Sequence, residues 1–151
     1  MRFGITQKPQ KPIRLSNLLE IKEAFSKYCR KNPIDLVFVH GSLAQDKLKT
    51  LSDIDIAVLF KEGGKDILKA ISKTVDKLSE LIDREDIDLM MLNKASPLAC
   101  MQVLRNGKIL YCRNLSVLKK FRLKTIQRYL ATSYLRTTFN RRMEMAILGE
   151  K

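Results

Sequence analysis

The sequence has few of the residues that bind zinc or form disulfides. Its 151 residues include one histidine and three cysteines, and tryptophan is absent. Cys29, Cys100 and Cys112 lie far apart in otherwise apolar segments, without the paired spacing of zinc ligands or of a disulfide framework. We therefore expect free thiols that pack as small buried hydrophobic side chains.

The chain also lacks a long apolar run. No segment approaches the length of a membrane-spanning helix, and the start, Met-Arg-Phe-Gly-Ile-Thr-Gln-Lys-Pro, lacks the apolar stretch of a secretory signal. These absences predict a cytoplasmic protein that does not associate with membranes. The length and the 45% hydrophobic content predict a single domain, residues 1–151, with enough apolar material for a core.

Acidic residues are fewer than basic ones, 16 against 29, which gives a net charge of +13. The excess lies at the two ends: residues 1–31 hold 8 Lys/Arg and 2 acids, and residues 113–151 hold 10 and 2. The middle of the chain, residues 32–112, is nearly neutral. Basic flanks favour an acidic protein partner or nucleic acid, for which we expect weak affinity, although a solvated helical face would explain them equally well.

Apolar periodicity predicts a mixed α/β (α+β) fold with a mixed sheet flanked by helices. Ser16 is the expected N-cap of a first helix, Ser96-Pro97 begins a later one that Gly107 closes as the glycine after its C-terminus, and a break is expected near Thr137-Thr138. The expected segments are helices at 16–30, 66–82 and 97–106, strands at 35–40, 53–60, 86–92 and 109–112, the last at a sheet edge, and a helical region at 115–148.

The same patterning divides the chain and assigns core positions. Residues 1–13 are an expected arm, residues 14–112 a core, and residues 113–151 a long, basic helical segment. Helical spacing predicts two sets of inward-facing side chains. These are Ile67, Leu68, Ile71, Val75, Leu78 and Leu81 in one helix, and Phe121, Tyr129, Tyr134 and Phe139 in the C-terminal segment.

The segment from His40 to Phe60 carries the clearest chemical signal. A short apolar strand ends at Gly41-Ser42, where glycine lets the backbone approach a phosphate and serine adds a hydroxyl and an N–H. After ten intervening residues, Asp53 and Asp55 open the next strand on one face. Two close carboxylates repel each other unless a cation lies between them, and Mg²⁺ accepts such ligands together with water and substrate phosphates.

A third carboxylate, Asp88, lies inside the apolar run of a later strand, where burial is costly unless a partner or a metal compensates it. Three carboxylates facing a phosphate-binding turn suit phosphoryl or nucleotidyl transfer. Two can hold metal ions, and the third can add a ligand or take the proton of the attacking hydroxyl. We expect Asp46 and Asp86 to be solvated turn residues and His40 to have a structural role.

These motifs resemble the minimal nucleotidyltransferase family of the polymerase β superfamily. The resemblance covers about residues 20–145 and rests on Gly41-Ser42, Asp53-Ile-Asp55, Ile87-Asp88-Leu89 and the segment 104–111. It implies a polymerase β-like fold in which Gly41 and Ser42 bind the triphosphate of ATP. It also implies that Asp53, Asp55 and Asp88 are the catalytic carboxylates and hold two Mg²⁺ ions.

The resemblance further implies a partner. Members of the family are often antitoxins encoded beside a HEPN ribonuclease toxin, which active members silence by transferring AMP to a tyrosine hydroxyl. Family members commonly carry an arginine directly after Gly-Ser or two residues later, where this chain has Leu43 and Gln45. Lys47 and Lys49 could supply charge there, but not an arginine fork. The alternatives are a non-catalytic antitoxin that acts by occlusion, a nucleic-acid-binding module, or an enzyme that modifies small molecules.

Overall fold

A computed structural model describes residues 12–46 and 53–149. Most of the predicted N-terminal arm therefore lies outside the described residues, as do Lys47 and Lys49. Within the described ranges, no helix is long and apolar enough to cross a membrane.

Four strands form one mixed sheet in the order β3-β2-β1-β4. Strand β1 is antiparallel to β2 and to β4, whereas β2 and β3 are parallel. The predicted mixed sheet is confirmed, and so is the edge position of the last strand. The strands are β1 (Ile34–His40), β2 (Ile54–Phe60), β3 (Ile87–Met91) and β4 (Lys108–Cys112).

Six helices connect and cover these strands in the described part of the chain. They are α1 (Leu15–Glu20), α2 (Lys22–Arg30), α3 (Gly41–Ala44), α4 (Ile67–Ile82), α5 (Pro97–Asn106) and α6 (Leu115–Leu148). The predicted first helix is thus two helices that meet at Ile21. Ser16 is not its cap, because α1 begins one residue earlier and the Arg14 N–H donates to Asn17 Oδ1 at 2.8 Å.

Both ends of α5 lie where the sequence predicts them. Ser96 caps the helix by accepting a hydrogen bond from the Ala99 N–H at 3.1 Å, and Pro97 takes the first position, as predicted. Gly107 follows the helix, but its φ of −76° is not left-handed. It is needed for space, because a Cβ there would lie 2.5 Å from the carbonyl oxygen of Val103.

Both faces of the sheet are covered, which explains why its strands are apolar on both sides. Residues of α1, α2 and α4, among them Leu18, Phe25 and Leu78, pack on one face against alternate positions of the strands. On the other face, α5 and the first part of α6 cover Phe38 and Ala57. This second face also carries the carboxylates described below.

Helix α6 runs without a break from Leu115 to Leu148, contrary to the sequence prediction. Thr137 is accommodated because its hydroxyl donates to the Ser133 carbonyl one turn earlier, at 3.0 Å. Phe121 is a core residue as predicted, but Tyr134 is 76% exposed and Phe139 is 63% exposed. The helical stripe predicted for α4 is also wrong at Leu68, which is 77% exposed.

Candidate active site

The turn after β1 lies directly against an aspartate of β2. Gly41 has a left-handed φ of +69°, and it leads the chain from the end of β1 into α3. A Cβ at this position would lie 2.3 Å from Asp55 Oδ2, so only glycine fits. Ser42 follows and is half-buried. The predicted phosphate-binding turn and the predicted metal ligand are therefore immediate neighbours.

Strand register places two aspartates and a histidine in one row. Asp55 pairs with His40 across β1 and β2, and with Asp88 across β2 and β3. Paired residues in neighbouring strands present their side chains on the same face of a sheet. That face is the one covered by α5 and α6, because Phe38 and Ala57 are also paired and both pack there. His40, expected to be structural, therefore shares the row with the carboxylates.

The three predicted carboxylates differ in exposure. Asp53 lies one residue before β2 and is half-buried, as is Asp55 two residues later. Asp88 is exposed, which corrects the expectation of a buried carboxylate. The reason is that β3 is an edge strand, so the side chain at its second position reaches solvent. Because Asp88 is exposed, its charge does not require a compensating cation.

The described residues do not form a complete metal site on their own. No group of three Asp, Glu, His or Cys side chains among them is placed to hold a metal ion. Mg²⁺, however, is often bound by one or two carboxylates and completes its shell with water and substrate phosphates. Asp53 and Asp55, beside the Gly41 turn, fit a metal that arrives with a triphosphate better than they fit a metal held before substrate binds.

The two positions at which the family resemblance implies an arginine have different environments in this chain. Leu43 is fully buried in the core beneath the turn, so an arginine in its place would bury a charge. Gln45 is exposed. Only the second of the two positions could therefore direct a side chain toward a bound phosphate.

A buried ion pair supports the start of β2. Arg84 Nε donates to Asp86 Oδ1 at 2.8 Å, Arg84 Nη2 donates to Asp86 Oδ2, and both residues are nearly inaccessible. The prediction of a solvated Asp86 is thus wrong. The carbonyl of Asp86 also accepts a hydrogen bond from the Ile54 N–H at 2.9 Å, and Ile54 is the residue between Asp53 and Asp55 in the sequence. The signal that was available is the Arg-x-Asp spacing, because residues two apart in an extended chain share a face.

The cysteines do not contribute to this site. Burial raises the pKa of the Cys29 thiol to about 12, against a smaller opposing effect of Arg113, and burial also raises the pKa of Cys100. Both remain protonated at neutral pH and are poor nucleophiles. The thiols are free as predicted, although Cys112 is only half-buried.

Residues 20–116 match the family model described as polymerase beta, nucleotidyltransferase. Among curated proteins, the protein adenylyltransferase MntA of Shewanella oneidensis is 38% identical over 80 residues. That match covers 52% of this chain and 54% of MntA, so it spans about half the length of this relative.

Several solved structures with a similar fold come from toxin–antitoxin complexes. A chain of a toxin–antitoxin complex with AMP-PNP has a TM-score of 0.65 at 30% identity, with 82% of this chain and 98% of that chain covered. A chain of the complex of tri-AMPylated Shewanella oneidensis HEPN toxin with its MNT antitoxin has a TM-score of 0.63 at 28% identity, with 84% and 98% covered. The family match covers well over half of the sequence and agrees with the fold. The chain therefore belongs to the polymerase beta nucleotidyltransferase family, as its Gly-Ser and aspartate motifs predicted.

Proposed function

We propose that this protein transfers AMP from ATP to a hydroxyl group, and that the acceptor is a tyrosine of a HEPN-type toxin for which the protein is the antitoxin. The family match and the relative named protein adenylyltransferase support the reaction. The related complex with a tri-AMPylated HEPN toxin supports the acceptor. The observation that carries the proposal is the Gly41 turn packed against Asp55, which is itself in register with Asp88.

Each residue has a distinct role in this proposal. Gly41 lets the backbone approach the triphosphate, and Ser42 offers its hydroxyl and backbone N–H. Asp53 and Asp55 would hold Mg²⁺, and Asp88 would complete the site for a second ion. When bound there, Mg²⁺ supplies positive charge that offsets the charge of the triphosphate.

In the transfer step, the acceptor oxygen forms a bond to the α-phosphorus of ATP. The bond from the α-phosphorus to the oxygen that bridges to the β-phosphate breaks, and pyrophosphate leaves. We propose that Asp88 accepts the proton of the attacking hydroxyl, because its carboxylate is exposed on the edge strand, whereas Asp53 and Asp55 are half-buried. A tyrosine on a second protein can reach an exposed carboxylate without rearrangement of the sheet.

The proposal is tested by measuring ATP binding and AMP transfer separately. With Mg²⁺ present, Asp53→Asn/Asp55→Asn is expected to bind ATP at least about tenfold more weakly in calorimetry, because the metal loses two anionic ligands. Asp88→Asn is expected to keep most of the ATP affinity and to transfer AMP about a hundredfold more slowly to the HEPN-type protein encoded beside this gene. Asp76→Asn, an exposed change on α4, is the matched control.

Unchanged ATP affinity in the double variant would contradict the metal assignment.

A second candidate function is a non-catalytic antitoxin, which the absence of arginine at positions 43 and 45, occupied by Leu43 and Gln45, favours. It predicts that mass spectrometry finds no AMP on a partner that the wild-type protein nevertheless neutralises. Transfer to an added aminoglycoside, with none to protein, would instead identify a small-molecule enzyme. The cytoplasmic location stays a prediction from the sequence.

A further inference from the structure

The second half of α6 carries large apolar side chains that the described part of the chain does not cover. Leu135, Phe139, Met143 and Ile147, which we call the distal seam, are 66%, 63%, 47% and 76% exposed. They are four residues apart, so they form one continuous stripe on the helix. The buried residues of α6 are Leu118, Phe121 and Thr125, all in its first third.

The distal seam continues the side of α6 that packs on the protein's own core. Leu118, Thr125, Thr132 and Phe139 follow one another at intervals of seven residues, and Leu135 lies two such intervals after Phe121. Residues seven apart lie on nearly the same side of an α-helix. In the first part of α6, the side chains on this side pack in the core against Phe38, Ala57 and Val103. In the second part the same apolar side faces solvent, which is typical of a surface made for another molecule.

The charges beside the distal seam indicate what that molecule is. Arg128, Arg136 and Arg142 lie on the same side of the helix or next to it by the same periodicity, and Glu144 is the one acid between residues 126 and 149. The Arg136 guanidinium is fixed in place, because Nη2 donates to the Tyr129 carbonyl at 2.9 Å and the group lies 3.9 Å from the centre of the Tyr129 ring.

This charge pattern argues against two occupants from the chain itself. A second copy would bring the same arginines to the interface and a further net charge of +13. Residues 1–11 contain Arg2, Lys8 and Lys11 and no acid, so they would also be repelled. An apolar stripe beside arginines, one of them held in place, matches an amphipathic helix with acidic residues along its apolar face.

We propose that the distal seam is the docking surface for such a helix, contributed by the toxin partner. The proposal rests on the proposed function, which supplies the partner, and adds the place and chemistry of contact. From Leu135 to Ile147 the seam is about 18 Å long, which accommodates three to four turns of a partner helix. The docked partner would be held by the far half of α6, while its acceptor tyrosine reaches the exposed Asp88.

The test compares two quadruple variants of the full-length protein. Leu135→Gln/Phe139→Gln/Met143→Gln/Ile147→Gln removes the seam, and glutamine preserves helix propensity. The matched control, Leu123→Gln/Ile126→Gln/Leu130→Gln/Tyr134→Gln, changes four exposed apolar residues on roughly the opposite side of the same helix. The partner is the HEPN-type protein encoded beside this gene, and affinity is measured by calorimetry.

We expect the seam variant to bind this protein at least about a hundredfold more weakly, and the control within about threefold of wild type. Both should bind ATP like wild type, which shows that the domain is folded. Neutralising Arg128 and Arg142 should slow association and weaken its salt dependence. The single change Phe139→Ala should give a measurable partial loss with less effect on the helix.

Several results would overturn the proposal. These are wild-type affinity in the seam variant, an equal loss in the control, failure of the wild-type protein to bind the partner, or a dimer of the isolated protein that the seam variant dissolves. Tight, salt-sensitive RNA binding that needs the seam would identify nucleic acid as the occupant instead, and a loss of partner binding when residues 1–11 are removed would point to that segment. A wild-type complex in which no AMP is transferred would contradict the proposed function but leave the docking surface intact.

Discussion

At the scale of single residues, the site depends most on the absence of a side chain at Gly41. Alanine there would adopt a strained φ and place its Cβ 2.3 Å from Asp55 Oδ2, so the carboxylate must move. We expect Gly41→Ala to lower the free energy of unfolding by about 2 kcal/mol and to abolish most AMP transfer, because Asp55 leaves its position. Urea unfolding and a transfer assay measure the two effects.

The matched control is Gly63→Ala. Gly63 also has a left-handed φ, of +84°, but a Cβ there has nothing within 4 Å. This variant should therefore show the conformational cost alone, about 1 kcal/mol, with normal AMP transfer. Equal transfer in the two alanine variants would show that the turn does not need to lie against Asp55.

The residues of this site could be predicted because their signals are local. A glycine turn after an apolar strand, and aspartates at alternate positions of the next strand, are visible in the sequence without knowledge of the fold. The sequence could not show the exposure of Asp88 or the row that Asp55 forms with His40, because both depend on strand order and register. The catalytic and binding roles of these residues stay predictions.

At the scale of elements, the Arg84–Asp86 pair connects stability to the site. Asp86→Asn would replace the carboxylate that accepts two hydrogen bonds from the buried Arg84 with a neutral amide, and we expect a loss of about 3 kcal/mol in the free energy of unfolding. Because the Asp86 carbonyl holds the Ile54 N–H, ATP affinity should fall as well. Urea unfolding and calorimetry provide the two measurements.

Asp83→Asn is the control for that change. Asp83 ends α4 with an exposed side chain and a left-handed φ of +59°, a conformation that asparagine tolerates well. We expect no loss of stability beyond about 0.5 kcal/mol. If both variants were equally stable, the buried pair would not contribute to holding the start of β2.

Element positions were predictable where a periodic pattern is bounded by turn or cap signals. Strand β2 was expected at 53–60 and spans Ile54–Phe60, and α4 was expected at 66–82 and spans Ile67–Ile82. The start of α1 before Ser16 and the continuity of α6 were not, because they depend on which hydrogen bonds form locally. Asn17 Oδ1 accepts a hydrogen bond from the Arg14 N–H, and the Thr137 hydroxyl donates to the Ser133 carbonyl within α6.

At the scale of the whole molecule, the described residues form a sheet covered by helices on both faces, which we call the body, and a long helix, α6, whose second half extends beyond it. Helix α6 has 34 residues and is therefore about 50 Å long, yet its buried residues end at Thr125. Helical periodicity predicted core anchors along its whole length, but periodicity shows only which residues share a side. Whether that side meets the chain's own core or another molecule depends on how far the sheet extends beneath it.

This division predicts that the end of α6 can be removed without unfolding the body. A chain that ends at Thr132 keeps Leu118, Phe121 and Thr125, so its melting temperature should lie within about 3 °C of the full-length value and ATP binding should be unchanged. Binding of the HEPN-type partner should be lost, because the distal seam is gone. A chain that ends at Asn114 would instead uncover Phe38 and Ala57 and is expected not to fold. A fall of 10 °C or more on truncation at Thr132, measured by calorimetry, would show that the far half of α6 stabilises the body itself, and the distal seam would then have to be explained by contacts within the chain.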